Sequence, residues 1–96
     1  MNKISFLGCG SWGGALGLVL ANEAMHVTMW HRNPKVIQDI TETRVHYLVS
    51  SLTFPDSVSF TSSIVDAISG ADTVIIAVPS QSIRKLLQSN KDLFNN

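Results

Sequence analysis

Apolar positions along this chain switch repeatedly between short unbroken runs and a spacing of three to four residues, the pattern of alternating strands and helices. Ile4 through Leu7 form the first strand-like run. From Trp12 to Ala24 the spacing predicts a helix, with Leu16, Val19, Leu20 and Ala24 toward a sheet and Asn22 and Glu23 as its polar end. His26 to Trp30 predicts a second strand, whose imperfect alternation suggests cover on both faces. His31-Arg32-Asn33-Pro34 stops it; Asn33 suits a helix N-cap and Pro34 the first helical position. A helix through about Thr43 follows, with Val36, Ile37 and Ile40 inward.

Residues 44–57 carry no sustained period, and Pro55-Asp56 marks a turn, so they predict a surface connection bearing Tyr47, Leu48 and Phe54. Val58 to Thr61 suits a short third strand. Ser63 and Asp66 have capping-box spacing, opening a brief helix through Ser69 that Gly70 would close. Thr73 to Val78 lacks polar positions and predicts a strand buried on both faces. Pro79 would end it, Ser80 would cap, and Ile83, Leu86 and Leu87 form the stripe of a last helix.

This alternation predicts an α/β fold, a Rossmann-like doubly wound parallel sheet in the spatial order 3-2-1-4. Its crevice should open between strands 1 and 4, beyond their carboxyl ends, with the Gly8 turn facing the Pro79-Ser80 turn. Gly8, Gly10 and Gly13 are spaced G-x-G-x-x-G between the first strand and its helix, the context that a dinucleotide fingerprint requires. Gly8 permits the sharp turn, Gly10 lets a pyrophosphate approach, and Gly13 brings helix close to strand, with Gly17 extending that contact. The free N–H groups of the first helical turn would face the anion.

The end of strand 2 refines this picture. An NAD-selective site places Asp or Glu there to bind the ribose 2′-hydroxyl. The corner is instead His31-Arg32-Asn33, and a cation can pair with a 2′-phosphate, so NADP(H) is expected to be favoured and NAD tolerated. Trp12 either touches the cofactor or packs on the loop after strand 4. Pro79 and Ser80 either line the nicotinamide side or serve only as strand stop and cap.

Composition removes other classes. Ninety-six residues suit one small domain, and 7 basic against 7 acidic residues leave no basic stripe for nucleic acid or for a membrane surface. A single cysteine allows no internal disulfide and suits a reducing compartment, so the cytoplasm is expected. The apolar run before Cys9 is too short, and too soon broken by glycine, for a signal or membrane segment. Cys9 reads as a small filler rather than a nucleophile, although a helix N-terminus could lower its pKa. His26, His31 and His46 share no metal-ligand spacing, and no metal is expected. Asp66 and Asp72 read as a cap and a solvated loop charge.

The stretches FLGCGSWGGALGLVLA, HVTMWHRNP and GADTVIIAVPSQSIRKLL together resemble the N-terminal part of NAD(P)-dependent glycerol-3-phosphate dehydrogenase. The GxGSWG turn and the V-P-S-Q end of strand 4 are the most specific pieces. The resemblance implies reversible reduction of dihydroxyacetone phosphate to glycerol 3-phosphate for glycerophospholipid synthesis. It implies that Ser11 and Trp12 contact the cofactor, that Arg32 holds its adenosine end, and that Tyr47 lies in the counterpart of a family tyrosine-leucine-proline. Tyr47-Leu48-Val49 departs from that motif; Cys9 stands where alanine is usual and Gly14 where threonine is common.

Family members are much longer, and their substrate-binding lysines lie beyond Asn96. The chain is therefore expected to be the N-terminal portion of a dinucleotide-binding domain without its substrate domain, holding no catalytic residue and inactive alone. The candidate cofactor residues are Gly8, Gly10, Ser11, Trp12, Gly13, His31, Arg32, Tyr47, Pro79 and Ser80. Partners are then the cofactor and, in the full-length enzyme, a small phosphorylated substrate. The unpaired edge of strand 4 would favour self-association. Two other readings stay open: a different dehydrogenase of hydroxyacid, sugar-nucleotide or ketopantoate type, disfavoured by Ser11-Trp12 and V-P-S-Q, and a non-catalytic dinucleotide sensor.

Overall fold

The computed structural model describes residues 3–23, 26–78 and 80–91. Strands β1 (Lys3–Leu7), β2 (His26–Trp30), β3 (Val58–Thr61) and β4 (Thr73–Ile76) form one parallel sheet ordered β3-β2-β1-β4, the predicted topology. Helices α1 (Ser11–Asn22), α2 (Pro34–Thr43), α3 (Ile64–Ile68) and α4 (Ser80–Ser89) alternate with them. Phe6 sits opposite Met29 on one side and Ile75 on the other. Phe6, Val27, Met29, Ile40, Phe54 and Val58 meet in the main core, and Leu7, Trp30 and Ala67 in a second cluster. Among the described residues no helix is long and apolar enough to cross a membrane.

Local chemistry explains the element boundaries. The Asn33 side chain accepts from the Lys35 N–H at 2.9 Å and Pro34 occupies the first helical position, so α2 begins where predicted. Ser63 Oγ accepts from the Asp66 N–H at 3.3 Å, but the Ser63 N–H donates to Thr61 Oγ1 rather than closing a capping box. Helix α3 ends at Ile68, with Ser69 as its C-cap and Gly70 beyond it at φ +71°.

Expectations for α1 and β4 need correcting. Val19 does not face the sheet; it is 56% exposed, while Gly13, Gly14, Gly17 and Ala21 form the buried stripe of α1. Proximity rather than side-chain bulk selects that face: a Cβ on Gly17 would lie 2.6 Å from Met29 Cε. Strand β4 is only half-buried because it lies at the sheet edge, and the strand ends at Ile76 rather than Val78. Asp72 is exposed in a loop, as expected, and its Oδ2 in addition accepts from the Lys3 N–H at 2.8 Å where β1 begins.

The connection between α2 and β3 is also more than a surface loop. Arg44 turns it at φ +61°, an antiparallel bridge joins Val45 to Thr53, and Phe54 and His46 are buried. Arg44 secures its far end, donating from its guanidinium to the carbonyls of Pro55 and Val58 and lying over the Phe60 ring at 5.1 Å.

Candidate functional site

At the carboxyl ends of the strands the parallel ladder continues for one more bond at three places. The Gly8 N–H donates to Trp30 O at 3.0 Å, the Ala77 N–H to Leu7 O at 3.0 Å, and the His31 N–H to Thr61 O at 3.1 Å. The three exits are thereby held in register, and a cleft of about 660 Å³ opens among them. That volume suits an organic ligand.

Its floor is the glycine turn. Gly8 lies at φ +131°, and a Cβ there would sit 2.6 Å from the Ala77 carbonyl carbon and closer still to its oxygen. Gly13 packs inward, its Cβ position 3.1 Å from Gly8 O and 3.2 Å from Ala77 Cβ. Around Gly10, the N-cap of α1, a Cβ would meet nothing within 4 Å. A phosphate can therefore approach the backbone at Gly10 while the turns on either side are closed by protein.

One wall comes from the β2 exit and the connection. Tyr47 stacks on His46 with centroids 4.8 Å apart and meets His31 edge-on at 5.3 Å. His31 Nδ1 accepts from the Asn33 N–H at 3.0 Å, which orients the ring. Burial, and secondarily the charge of Arg32, lower the His31 pKa, so at neutral pH the His31 ring that meets Tyr47 is uncharged. Burial, with a lesser contribution from Cys9, raises the Tyr47 pKa. Leu48 completes the wall, and α4 supplies Lys85 and Leu86 opposite.

Charge distinguishes the lining. Arg32 and Lys85 contribute to it, whereas no Asp or Glu does among the described residues. A cleft with oriented backbone donors, two cations and no carboxylate fits a polyanion with apolar rings.

Of the ten candidate residues, Gly8, Gly10, His31, Arg32 and Tyr47 come together in this lining. Gly13 lies behind it as a packing residue. Trp12 is 65% exposed and does not line the cleft. Ser11 and Ser80 are the first residues of α1 and α4, and the structure does not describe their side chains. Pro79 lies outside the described residues. Cys9 is buried with its Sγ 3.8 Å from Met29 Sδ, and burial pushes its pKa up to about 12, so the helix N-terminus does not activate it. No three His, Cys, Asp or Glu side chains among the described residues gather to hold a metal ion.

Sequence reasoning missed His46 and Lys85. His46 is 2% exposed, and its Nε2 lies 3.0 Å from Cys9 O and 3.1 Å from Gly10 O. Its Nδ1 accepts from the N–H groups of Leu48 and Val49 at 3.0 and 3.1 Å, so the ring proton resides on Nε2, which donates to the turn. A Cβ on Gly14 would stand 2.7 Å from that Nε2, so the glycine makes room for the ring. The only signal for His46 was a polar residue between Val45 and Tyr47 in a stretch without period.

Comparisons with known proteins agree with this geometry. The family model described as NAD-dependent glycerol-3-phosphate dehydrogenase N-terminus matches residues 3–96. A glycerol-3-phosphate dehydrogenase of Clostridium perfringens, named as using NAD(P)+, is 37% identical over 97 residues, covering 100% of this chain and 29% of the relative. One of the same name from Prosthecochloris aestuarii is 39% identical over 87 residues, covering 88% of this chain and 26% of the relative. The crystal structure of glycerol-3-phosphate dehydrogenase from Coxiella burnetii superposes with a TM-score of 0.89 at 27% identity, over 96% of this chain and 29% of that one. The chain thus spans less than a third of the length of the curated relatives it matches.

Proposed function

Since the chain belongs to the family of NAD-dependent glycerol-3-phosphate dehydrogenase N-terminal domains, we propose that its cleft serves an enzyme interconverting dihydroxyacetone phosphate and glycerol 3-phosphate, with NADPH as the preferred cofactor. The observation that carries this reading is the cleft between the β1 and β4 exits, floored by an unobstructed Gly10 and lined by Arg32 and Lys85 without a carboxylate. When bound, the nicotinamide ring supplies the hydride.

The chain's own residues bind and orient. The Gly10 turn presents backbone N–H groups to the pyrophosphate, with Ser11 at the start of α1 beside it. Arg32, exposed at the end of β2, pairs with the 2′-phosphate, and His31 and Tyr47 flank the adenosine end. Residues from the β4 exit into α4, including Pro79 and Ser80, bound the nicotinamide side. Trp12, exposed at the second position of α1, is free to meet the cofactor from the rim of the turn. None of these residues supplies a proton to the ketone; that role and recognition of the phosphorylated substrate fall to the remainder of the enzyme. A place in glycerophospholipid synthesis and a cytoplasmic location accompany this assignment.

Fluorescence titration of the full chain with NADPH and NADH tests it. Wild type should bind NADPH more tightly, and Arg32→Ala should weaken NADPH by roughly tenfold while leaving NADH nearly unchanged. Tighter binding of NADH by wild type, or equal losses for both nucleotides, would overturn the assigned preference; no binding of either would remove the cofactor reading.

A further inference from the structure

We propose that His46 is the positioning residue of the pyrophosphate turn, an inference that rests on the dinucleotide reading above. The ring reaches from the connection to the carbonyls of Cys9 and Gly10, residues 37 and 36 positions earlier in the chain. In a trans peptide the C=O and N–H point in opposite directions. Holding Cys9 O and Gly10 O on His46 Nε2 therefore aims the N–H groups of Gly10 and Ser11 away from the ring. Cys9 and Gly10 line the cleft and His46 does not, so away from the ring is the ligand side.

Glycine peptides rotate easily, and this turn has no side-chain cap of its own: no side-chain hydrogen bond forms at the Gly10 N-cap. The Gly10 carbonyl also accepts the Gly14 N–H at 2.8 Å as the first bond of α1, so the constraint that His46 adds from outside falls chiefly on Cys9 O and hence on the Gly10 N–H. Its position is in turn fixed by the Leu48 and Val49 N–H groups on Nδ1, by the Tyr47 ring on one face, and by the space that Gly14 leaves open. The same rigid piece carries Tyr47 into the cleft wall, so one side chain sets both the amide direction and the distance between turn and wall. His46 touches no ligand and is not a catalytic residue.

His46→Phe keeps a ring over Gly14 and removes both donor and acceptor. His46→Gln retains an N–H able to reach the carbonyls. Binding is read by NADPH fluorescence on the full chain, together with the backbone amide resonances of Gly10 and Ser11. The expected result is roughly tenfold weaker NADPH binding in the Phe variant, partial recovery in the Gln variant, and displaced Gly10 and Ser11 resonances before ligand is added.

Gly14→Ala supplies an independent perturbation should the Phe variant fail to fold, because its methyl would push the ring off the carbonyls. It should weaken NADPH by a similar factor, and less than additively in combination with His46→Gln. Unchanged NADPH affinity in the folded variants, or Gln no better than Phe with unmoved amide resonances, overturns the inference while leaving the cofactor reading intact. Failure of wild type to bind NADPH overturns both, and so separates the two cases.

Discussion

Alanine placed at Gly8 and at Gly10 should divide stability from ligand binding within two residues of the same turn. At Gly8 the backbone sits at φ +131°, where a Cβ costs about 1–3 kcal/mol in strain. That Cβ also overlaps the Ala77 carbonyl, a backbone group that cannot swing aside as a side-chain end can. Relief requires the end of β4 to move away from β1, straining the Ala77 N–H to Leu7 O bond. The combined loss is about 3–5 kcal/mol, a large share of the stability of a small domain. Its melting temperature should fall by roughly 15 °C or more. At Gly10, φ is −74° and the Cβ position is open, so alanine costs only the N-cap preference, about 1 kcal/mol or less. The added methyl nevertheless occupies the phosphate approach. Urea denaturation followed by circular dichroism, paired with NADPH titration, should show Gly8→Ala unstable and Gly10→Ala stable but poor at binding. A Gly10→Ala chain that binds NADPH as wild type does would refute the placement of the pyrophosphate, and a Gly8→Ala chain of normal stability would refute the turn geometry.

Further consequences concern pH and packing. The buried Cys9 thiol is raised from 9.0 to about 12, so the folded state holds its proton more tightly than the unfolded state. Its contribution is complete below pH 9 and is lost as pH rises toward the folded value, at about 1.4 kcal/mol per pH unit. Urea midpoints of Cys9→Ala measured from neutral to alkaline pH should show a shallower decline than wild type, and parallel declines would count against a buried protonated thiol. Gly17→Ala would press on the end of the Met29 side chain, 2.6 Å from Cε, and touch Phe6 Cε1 at an ordinary 3.6 Å; its gain in helix propensity of about 1 kcal/mol offsets the displacement, leaving thermal stability nearly unchanged. Asn33→Ala removes the α2 cap and should cost about 1 kcal/mol by denaturant titration, with no change in nucleotide affinity expected beyond that of the folded fraction.

The features readable in the sequence were those whose causes are local. The glycine turn, the Asn33-Pro34 helix start and the limits of β2 and β3 depend on residues a few positions apart, and the chirality of parallel crossovers then leaves the order 3-2-1-4. Periodicity placed Leu16 and Leu20 of α1 against the core correctly but misplaced Val19, because it weighs apolar bulk. The helix packs by its smallest residues, and Val19 is left outside as a result. The hydrogen bond of Asp72 was not legible because its partner is the Lys3 N–H, at the opposite end of the chain. His46 was illegible for the same kind of reason: its four hydrogen-bonding partners include the Cys9 and Gly10 carbonyls, which no spacing rule associates with residue 46.

The two halves of ligand recognition differ in how tightly the fold constrains them. The backbone donors of the turn are locked from behind by Ala77, Gly13 and His46, all packed against the core or against each other. Any change that redirects those donors also disturbs a buried contact, so the proposed recognition of the pyrophosphate is coupled to the integrity of the fold. Arg32 and Lys85 project into the cleft from exposed positions. Substituting either leaves the sheet, the caps and the aromatic wall in place. In the proposed binding mode, selectivity between the 2′-hydroxyl and the 2′-phosphate is therefore alterable at the end of β2 with little effect on folding. Altering affinity for the shared pyrophosphate requires touching residues that hold β1, α1 and the connection together.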